Sequence, residues 1–410
     1  MKIKEIYLPL KADEEVLDII SNCFNQERNG VSDAREKARK LLMEHLIRTK
    51  DGSYTLKSGL FNGDCETMHT HHGAIEEALH KYVIPSKIEY KSQVKILDLC
   101  SGLGYNAASS IEYLKNKNKE IHIDMVEISK ETLAASLLIP SPLESYEIIK
   151  NAVENSLYEE GFLINKKVYL NSLDSVENIK IRIFYDDARE VVKNLSKTSY
   201  DVIFLDPFSP SKSPELYSLE FLTKLEQILK DDGMILTYTS AAPVRSAFIK
   251  AGFHLGEGPA FGRKGGTIAS LSLKNIDKPI SIEDERMIAL SDSGVPYRDP
   301  KLNSSSSIIR KRREIERKRA RGIEKLPSTV RTPTYLSEDI KNPRLKRRVL
   351  KHLNNMNISG LKSKEALFIV CPQYRDCLCG CGIGKLESSK DRIEEMEKRL
   401  YQLIINYTNI

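Results

Sequence analysis

The chain has 410 residues, 40% hydrophobic and 29% charged, which is enough for a sizeable core and roughly two or three domains. No uninterrupted apolar run reaches membrane-spanning length, and Met1-Lys2-Ile3-Lys4-Glu5 lacks the apolar core of a signal peptide. A soluble, cytoplasmic protein without a membrane partner is expected. The net charge of +6 is uneven: residues 301–350 hold sixteen Lys/Arg against five Asp/Glu, a net +11, so the rest of the chain carries −5. A mildly acidic body joined to a strongly basic segment points to a polyanionic partner, nucleic acid first.

Residues 1–45 carry mixed helical patterning (Val16, Ile19, Ile20; Ala38, Leu41, Leu42) and read as a small helical appendage without assigned chemistry. Asp51-Gly52 marks a hairpin turn with a strand after it. His69, His71 and His72 follow. Their spacing does not put them on one helical face, and no Glu completes an H-E-x-x-H pattern, so they read as a loop facing cofactor or substrate rather than as metal ligands.

Val94, Ile96, Leu97 and Leu99 form an apolar run with the look of a buried strand. It ends at Gly102 and Gly104, and a helical pattern follows. In a doubly wound sheet this sets a bare backbone turn and a helix N-terminus beside a nucleotide-like ligand, with Asp98 on the cofactor side. The next strand, Ile121–Val126, ends in Glu127, where a carboxylate would hold a ribose diol. A dinucleotide turn usually carries a third glycine. Asn106 and Ala107 stand in that region, so a ligand with a ribose but no phosphate fits better, and S-adenosylmethionine is the commonest one. Cys100 occupies a position where many methyltransferases have glycine; its small size suits a buried turn residue rather than a reactive thiol.

Pro140 and Pro142 end the following helix, and a helical insert of about thirty residues leads to the strand Lys180–Phe184. Asp186 and Asp187 come next, where an acid can accept from an adenine amino group or cap a helix. The strand Tyr200–Leu205 runs into Asp206, at the carboxyl end of a central strand, where open α/β sheets bind ligands. A stiff proline-rich loop extends from Pro207 to Tyr217. Met234–Thr239 is a further strand, and Phe261-Gly262-Arg263-Lys264 joins the last ones. Alternation of strand and helix from 94 to about 273 predicts a seven-stranded α/β sheet. The expected division is 1–45, a helical appendage; 46–305, the sheet domain; and 306–410, a basic, mostly helical extension.

Asp206-Pro-Phe-Ser-Pro-Ser-Lys-Ser-Pro-Glu-Leu-Tyr, Thr237-Tyr-Thr-Ser-Ala-Ala-Pro-Val-Arg, Ala251-Gly-Phe and Gly262-Arg-Lys resemble the signature of the MnmC-like methyltransferases. Asp51-Gly-Ser-Tyr-Thr-Leu, His72-Gly-Ala-Ile-Glu and Gly294-Val-Pro-Tyr-Arg-Asp-Pro are similar to members without a flavin domain, and no flavin fingerprint occurs in this chain. The resemblance covers roughly residues 45–305. It implies a Rossmann-like class I S-adenosylmethionine-dependent methyltransferase sheet that methylates the amine of 5-aminomethyl-type wobble uridines in tRNA. By the same resemblance, Asp206 is the catalytic acid beside the substrate amine. Gly102, Gly104, Glu127 and Asp187 match cofactor contacts, and Gly73 and Glu76 match a further element lining that pocket.

Phe208 or Tyr217 is placed to stack on the uracil, with Lys212, Arg263 and Lys264 on the substrate side. With an ordinary carboxylate pKa near 3.9, Asp206 would orient the amine and offset developing charge, the proton leaving to water. Two other readings stand beside this one. A polyamine aminopropyltransferase uses a related sheet but needs no basic tail. A non-catalytic RNA-binding protein with a degenerate methyltransferase fold would bind tRNA but not S-adenosylmethionine.

The extension lies beyond the resemblance. Arg310, Lys311, Arg312 and Arg313, then Arg317, Lys318, Arg319 and Arg321, put eight cations on an expected helix that would grip tRNA phosphates. Cys371, Cys377, Cys379 and Cys381 fall within eleven residues. Four thiolates this close can hold one zinc ion or an iron–sulfur cluster, although the spacing is not the usual pair of C-x-x-C knuckles.

Overall fold

The computed structural model describes residues 9–60, 63–169, 178–262 and 265–408. Seven strands form the main sheet: β1 (Gln93–Leu99), β2 (Glu120–Val126), β3 (Ile179–Phe184), β4 (Tyr200–Leu205), β5 (Leu229–Thr237), β6 (His254–Glu257) and β7 (Thr267–Ser270). Their order is β3-β2-β1-β4-β5-β7-β6. The first five are parallel, and β7 runs antiparallel to both β5 and β6. β1 and β4 are near-continuous apolar runs because strands at the middle of a parallel sheet are covered on both faces. All six residues of β4 are buried. The seven-stranded α/β sheet expected from the alternation is present, as is the Asp-Gly hairpin, which pairs Ile47–Arg48 with Tyr54–Thr55.

After β1 the chain enters the helix Tyr105–Leu114, on one face of the sheet; after β4 it enters Leu219–Ile228, on the other. Two hydrophobic clusters result, one per face. The expected boundaries at 45 and 305 do not coincide with breaks in this packing. Val16, Ile20 and Leu42 belong to the same cluster as Val94, Ile96 and Ile123. Ile309, Val349, Leu353, Ile369 and Met396 belong with Leu97, Leu205 and Phe248. The N-terminal helices thus complete one face of the sheet and the C-terminal extension completes the other. Among the described residues no helix is long and apolar enough to cross a membrane.

Buried charges tie the extension down. Glu285, in the helix Ile282–Leu290, pairs with Arg392 at 2.5 Å. Arg286 donates to Gln373 Oε1 at 2.8 Å and to the carbonyls of Thr334 and Leu336 at 3.0 and 2.7 Å. The helix Ser306–Ala320 departs from the sequence expectation. Among the described residues, all its arginines but Arg319 bond to the protein: Arg312 donates to the Arg298 carbonyl at 2.6 Å, and Arg313 to those of Val295 and Ser293 at 2.6 and 2.9 Å. Arg310 donates to the Ser211 carbonyl at 3.0 Å. Arg317 and Arg321 converge on the buried carboxylate of Asp292 at 3.0 and 2.8 Å. A guanidinium carries five donors in a rigid fork, so it satisfies loop carbonyls that a lysine could not. Of the cations expected to meet phosphates, Lys311, Lys318 and Arg319 stay exposed, as does Arg321 beside its bond to Asp292.

Asp292 also accepts from the Ser328 N–H at 2.6 Å, so one carboxylate holds three segments. Asp292→Ala should lower stability by about 2–4 kcal/mol, the range for breaking a largely buried charge network. A shift of the urea midpoint toward lower concentration at unchanged slope would register it; a midpoint within error of wild type would show that the carbonyl contacts alone anchor the helix.

Candidate active site at the carboxyl ends of the central strands

The strand order changes direction between β1 and β4, and such a switch opens a crevice at the carboxyl ends of the strands. A cavity occupies it. The turn after β1 builds its floor. Cys100, Gly102 and Gly104 all take positive φ (64°, 54° and 82°), and the amides of Cys100 and Ser101 bond to the Val126 carbonyl at 2.9 and 3.1 Å. A left-handed turn of this kind favours glycine, so Cys100 is held there against its intrinsic preference. At Gly104 an added Cβ would come within 2.9 Å of Ile149, which fixes a glycine where the next helix begins.

Asp206, one residue past β4, is the centre of a hydrogen-bond cluster. The Tyr82 hydroxyl donates to its Oδ1 at 2.5 Å, and the Asn106 side-chain amide donates to its Oδ2 at 3.1 Å. The same amide reaches Asp98 Oδ1 at 3.4 Å, while Asp98 Oδ2 is buried with no hydrogen-bond partner among the described residues. Burial raises the pKa of Asp206 to about 7, although the Tyr82 and Asn106 bonds oppose the rise. Burial, then the nearby Asp206 charge, takes Asp98 to about 7 as well. The ordinary carboxylate pKa expected for Asp206 therefore does not hold, because the sheet removes it from water.

At the end of β2, Glu127 accepts from the Gly102 and Ser129 amides at 3.1 and 3.0 Å. The Asp187 carboxylate caps the helix Ala188–Asn194 and pairs with Arg189 at 2.8 Å, while its exposed neighbour Asp186 shares the cavity wall. Gly102, Glu127, Asp187, Asp206 and Phe208 all line the cavity. Asp98 and Gly104 sit behind that lining. Gly73 and Glu76 do not line it either. Gly73 (φ 132°) begins a helix against Asp51, whose carboxylate accepts from the Ile75 and Glu76 amides at 3.0 Å, and an added Cβ would lie 1.9 Å from that carboxylate. Glu76 faces outward and pairs with His80 at 3.1 Å. Its neighbour Glu77 takes the cavity position, held by the Thr70 amide at 2.7 Å and Lys81 at 3.2 Å.

Lys212 is buried off the wall, 3.7 Å from Glu66, and Tyr217 lies in the core, so of the two candidate stacking rings only Phe208 faces the cavity. Arg263 and Lys264 lie outside the described residues. Of the three histidines only His69 lines the cavity; burial lowers its pKa to about 4, which keeps it neutral.

Sequence reasoning missed Tyr82, Glu77 and the segment Pro9–Ala12, which forms part of the wall. Tyr82 lies 124 residues from Asp206 in sequence, on a π-helical turn, Ala78–Val83, and no local pattern announces it. Wide turns of this type recur at functional sites.

Among the described residues seven carboxylates line the cavity (Glu66, Glu77, Glu127, Asp186, Asp187, Asp206, Glu215) against two lysines, Lys11 and Lys81. A chamber of that sign favours cations and repels phosphate. The buried hydroxyls of Thr70 and Thr132 are on its wall without partners among the described residues. These features fit S-adenosylmethionine, which is cationic at sulfur and rich in hydrogen-bonding groups; Glu127 is placed to hold its ribose.

Asp98 gives a measurable signature. Its folded pKa of about 7 exceeds the unfolded value near 3.9, so the folded state retains a proton that the unfolded state has lost, and stability falls as pH rises between these values. Asp98→Asn should therefore stabilise the protein more at about pH 8 than at about pH 5. Thermal melts showing the same gain at both would place the Asp98 charge elsewhere.

Comparison with known proteins agrees with this geometry. Residues 150–272 match a family described as S-adenosyl-L-methionine-dependent methyltransferase. The uncharacterized protein MJ0670 of Methanocaldococcus jannaschii is 37% identical over 369 residues, which covers 88% of this chain and 96% of that protein. The bifunctional tRNA 5-methylaminomethyl-2-thiouridine biosynthesis protein MnmC of Leptospira borgpetersenii is 31% identical over 170 residues, 41% of this chain and 25% of that protein, so this match spans about a quarter of the relative. The crystal structure of MnmC2 from Aquifex aeolicus superposes with a TM-score of 0.54 at 27% identity, covering 75% of this chain and all of that one. The chain belongs to the MnmC-like family of S-adenosylmethionine-dependent methyltransferases.

Proposed function

We propose that this protein methylates the amine of a 5-aminomethyl-type wobble uridine in tRNA. The observation that carries the reading is Asp206: a half-buried carboxylate with a near-neutral pKa, clamped by Tyr82 and Asn106, at the strand end of an acidic cavity. An aminomethyl group is a cation at neutral pH and must lose a proton to become a nucleophile. The acidic wall attracts the cation, and Asp206 accepts its proton and fixes the direction of the nitrogen lone pair. S-adenosylmethionine supplies the methyl group as an electrophile on sulfur. Asp206 would take the ammonium proton before attack and release it to solvent, leaving a neutral amine to receive the methyl group that bound S-adenosylmethionine would supply. Phe208, on the same wall, supplies a face for the uracil.

Support for a tRNA partner comes from the names of the MnmC relatives and from a surface the sequence did not single out. The helix Pro343–Asn354 buries Val349 and Leu353 and exposes Arg344, Lys346, Arg347, Arg348 and Lys351. It holds no acidic residue, and none of these five cations forms an ion pair among the described residues. In Ser306–Ala320 Arg310, Arg312, Arg313 and Arg317 are engaged with the protein itself, so phosphate binding is reassigned to Pro343–Asn354.

With S-adenosylmethionine and tRNA carrying the aminomethyl precursor, the modified nucleoside should become one methyl group heavier by mass spectrometry. The single-turnover rate should rise with pH through about 7 as Asp206 ionises. Asp206→Asn should abolish transfer and leave cofactor affinity within about threefold. An Asp206→Asn enzyme with the wild-type rate and pH profile would remove Asp206 from the chemistry.

Changing Arg344, Arg347, Arg348 and Lys351 together to Gln should weaken tRNA binding and reduce the log–log salt slope by about 2–3, since each lost phosphate contact removes somewhat less than one unit. The triple change Lys311, Lys318 and Arg319 to Gln should move the slope less. Equal slopes for wild type and the four-residue variant would take the tRNA contact off this helix.

A further inference from the structure

The four C-terminal cysteines play no part in the methyl-transfer site, and the fold brings them together. Cys371 is buried at the end of the helix Lys364–Val370, and the other three follow on a short loop. Gly380 and Gly382, both at positive φ (83° and 76°), turn the loop back on itself between and after the last two thiols. As a result one sulfur from each of the four residues lies within 4.8 Å of all the others. Cys377 Sγ is 3.7 Å from Cys371 Sγ and 3.7 Å from Cys381 Sγ.

These spacings select among the chemistries available to four thiols. A disulfide needs sulfurs about 2.05 Å apart, and no pair here is that close. A tetrahedral ion with metal–sulfur bonds of about 2.3 Å holds its sulfurs about 3.8 Å apart, close to the two 3.7 Å separations at Cys377 and within the 4.8 Å that spans all four. An iron–sulfur cluster interposes several iron and sulfide atoms between its thiolates and spreads them more widely.

The surroundings suit thiolates as well. The Leu378 amide donates to Cys371 Sγ and the Gly382 amide to Cys377 Sγ, each at 3.3 Å. The buried guanidinium of Arg399, from the last helix, lies 3.7 Å from Cys381 Sγ. One divalent ion with four thiolates carries a net negative charge, and Arg399 and the two amides are the groups that offset it.

We infer that Cys371, Cys377, Cys379 and Cys381 form a closed site for a single zinc ion whose role is structural. All four ligands come from the protein, so no position is left for a reacting group. The site joins the loop to the catalytic body: Gln373, two residues after Cys371, donates to Glu285 at 2.8 Å and accepts from Arg286 at 2.8 Å. Arg399 connects the site to the last helix. Zinc thus pins the cysteine loop between the helix Ile282–Leu290 and the last helix.

The test uses the full chain, purified without added metal under anaerobic conditions. Elemental analysis should give about one zinc per chain, and X-ray absorption should show sulfur ligands alone at about 2.3 Å. Cys379→Ser and Cys381→Ser, both outside the core, should lower zinc to below about one-tenth equivalent while the far-ultraviolet circular dichroism keeps its shape. Replacing zinc with cobalt(II) should produce a thiolate charge-transfer band that the same variants lose, a readout that does not depend on activity. Less than about one-tenth equivalent of zinc with all four thiols titratable in the native protein would overturn the inference. So would iron accompanied by acid-labile sulfide, which would make the site a cluster.

Discussion

Two adjacent strands that send the chain to opposite faces of the sheet are the constraint on which the active site depends. Because β1 leads to one face and β4 to the other, no connection crosses the gap between their ends. The sheet continues on both sides, so that gap is a crevice between strand ends. Asp98 and Asp206 end up there as neighbours, with the Asn106 amide shared between them. Burial there raises both pKa values to about 7, with the Asp206 charge adding to the rise at Asp98. The arrangement destabilises the fold locally. It is sustained by the two hydrophobic clusters that clamp the strands from either side and by Tyr82, whose hydroxyl satisfies the oxygen of Asp206 that Asn106 does not reach.

Charge is sorted on a larger scale too. The cavity is acidic and its chemistry concerns cations, whereas the excess of positive charge lies in the extension, on a different part of the chain. A polyanion that carries a cationic amine needs both signs in separate places: a basic surface for its backbone and an acidic chamber for the group that reacts. A single patch of either sign would repel half of such a substrate.

The two helices of the basic extension use their cations differently, in a way composition does not show. In Ser306–Ala320 guanidinium groups are consumed by the carbonyls of Ser293, Val295 and Arg298 and by the Asp292 carboxylate. In Pro343–Asn354 an apolar stripe does the anchoring, which leaves the cations outside. The difference lies in what each helix packs against. Both bury apolar residues in the same cluster, but the first also lies along the segment 293–298, whose carbonyls its arginines satisfy.

Sequence by itself determined the elements and their order. The strand Val94–Leu99, its glycine turn, Glu127 at the end of the next strand and Asp206 before the prolines are local patterns, set by hydrophobic periodicity and by the conformations that glycine and proline allow. The four cysteines were legible for the same reason, being close in the chain. Tertiary structure decided everything that depends on groups far apart in sequence meeting in a low dielectric. It brought Tyr82 to Asp206, set Glu77 rather than Glu76 on the cavity wall, drew Pro9–Ala12 into that wall, and raised the Asp206 pKa. It also turned arginines that read as phosphate contacts into internal ties, because a buried carbonyl left without a donor costs more than an exposed cation gains in water. Burial is a property of the assembled fold, so no window of the sequence could have contained it.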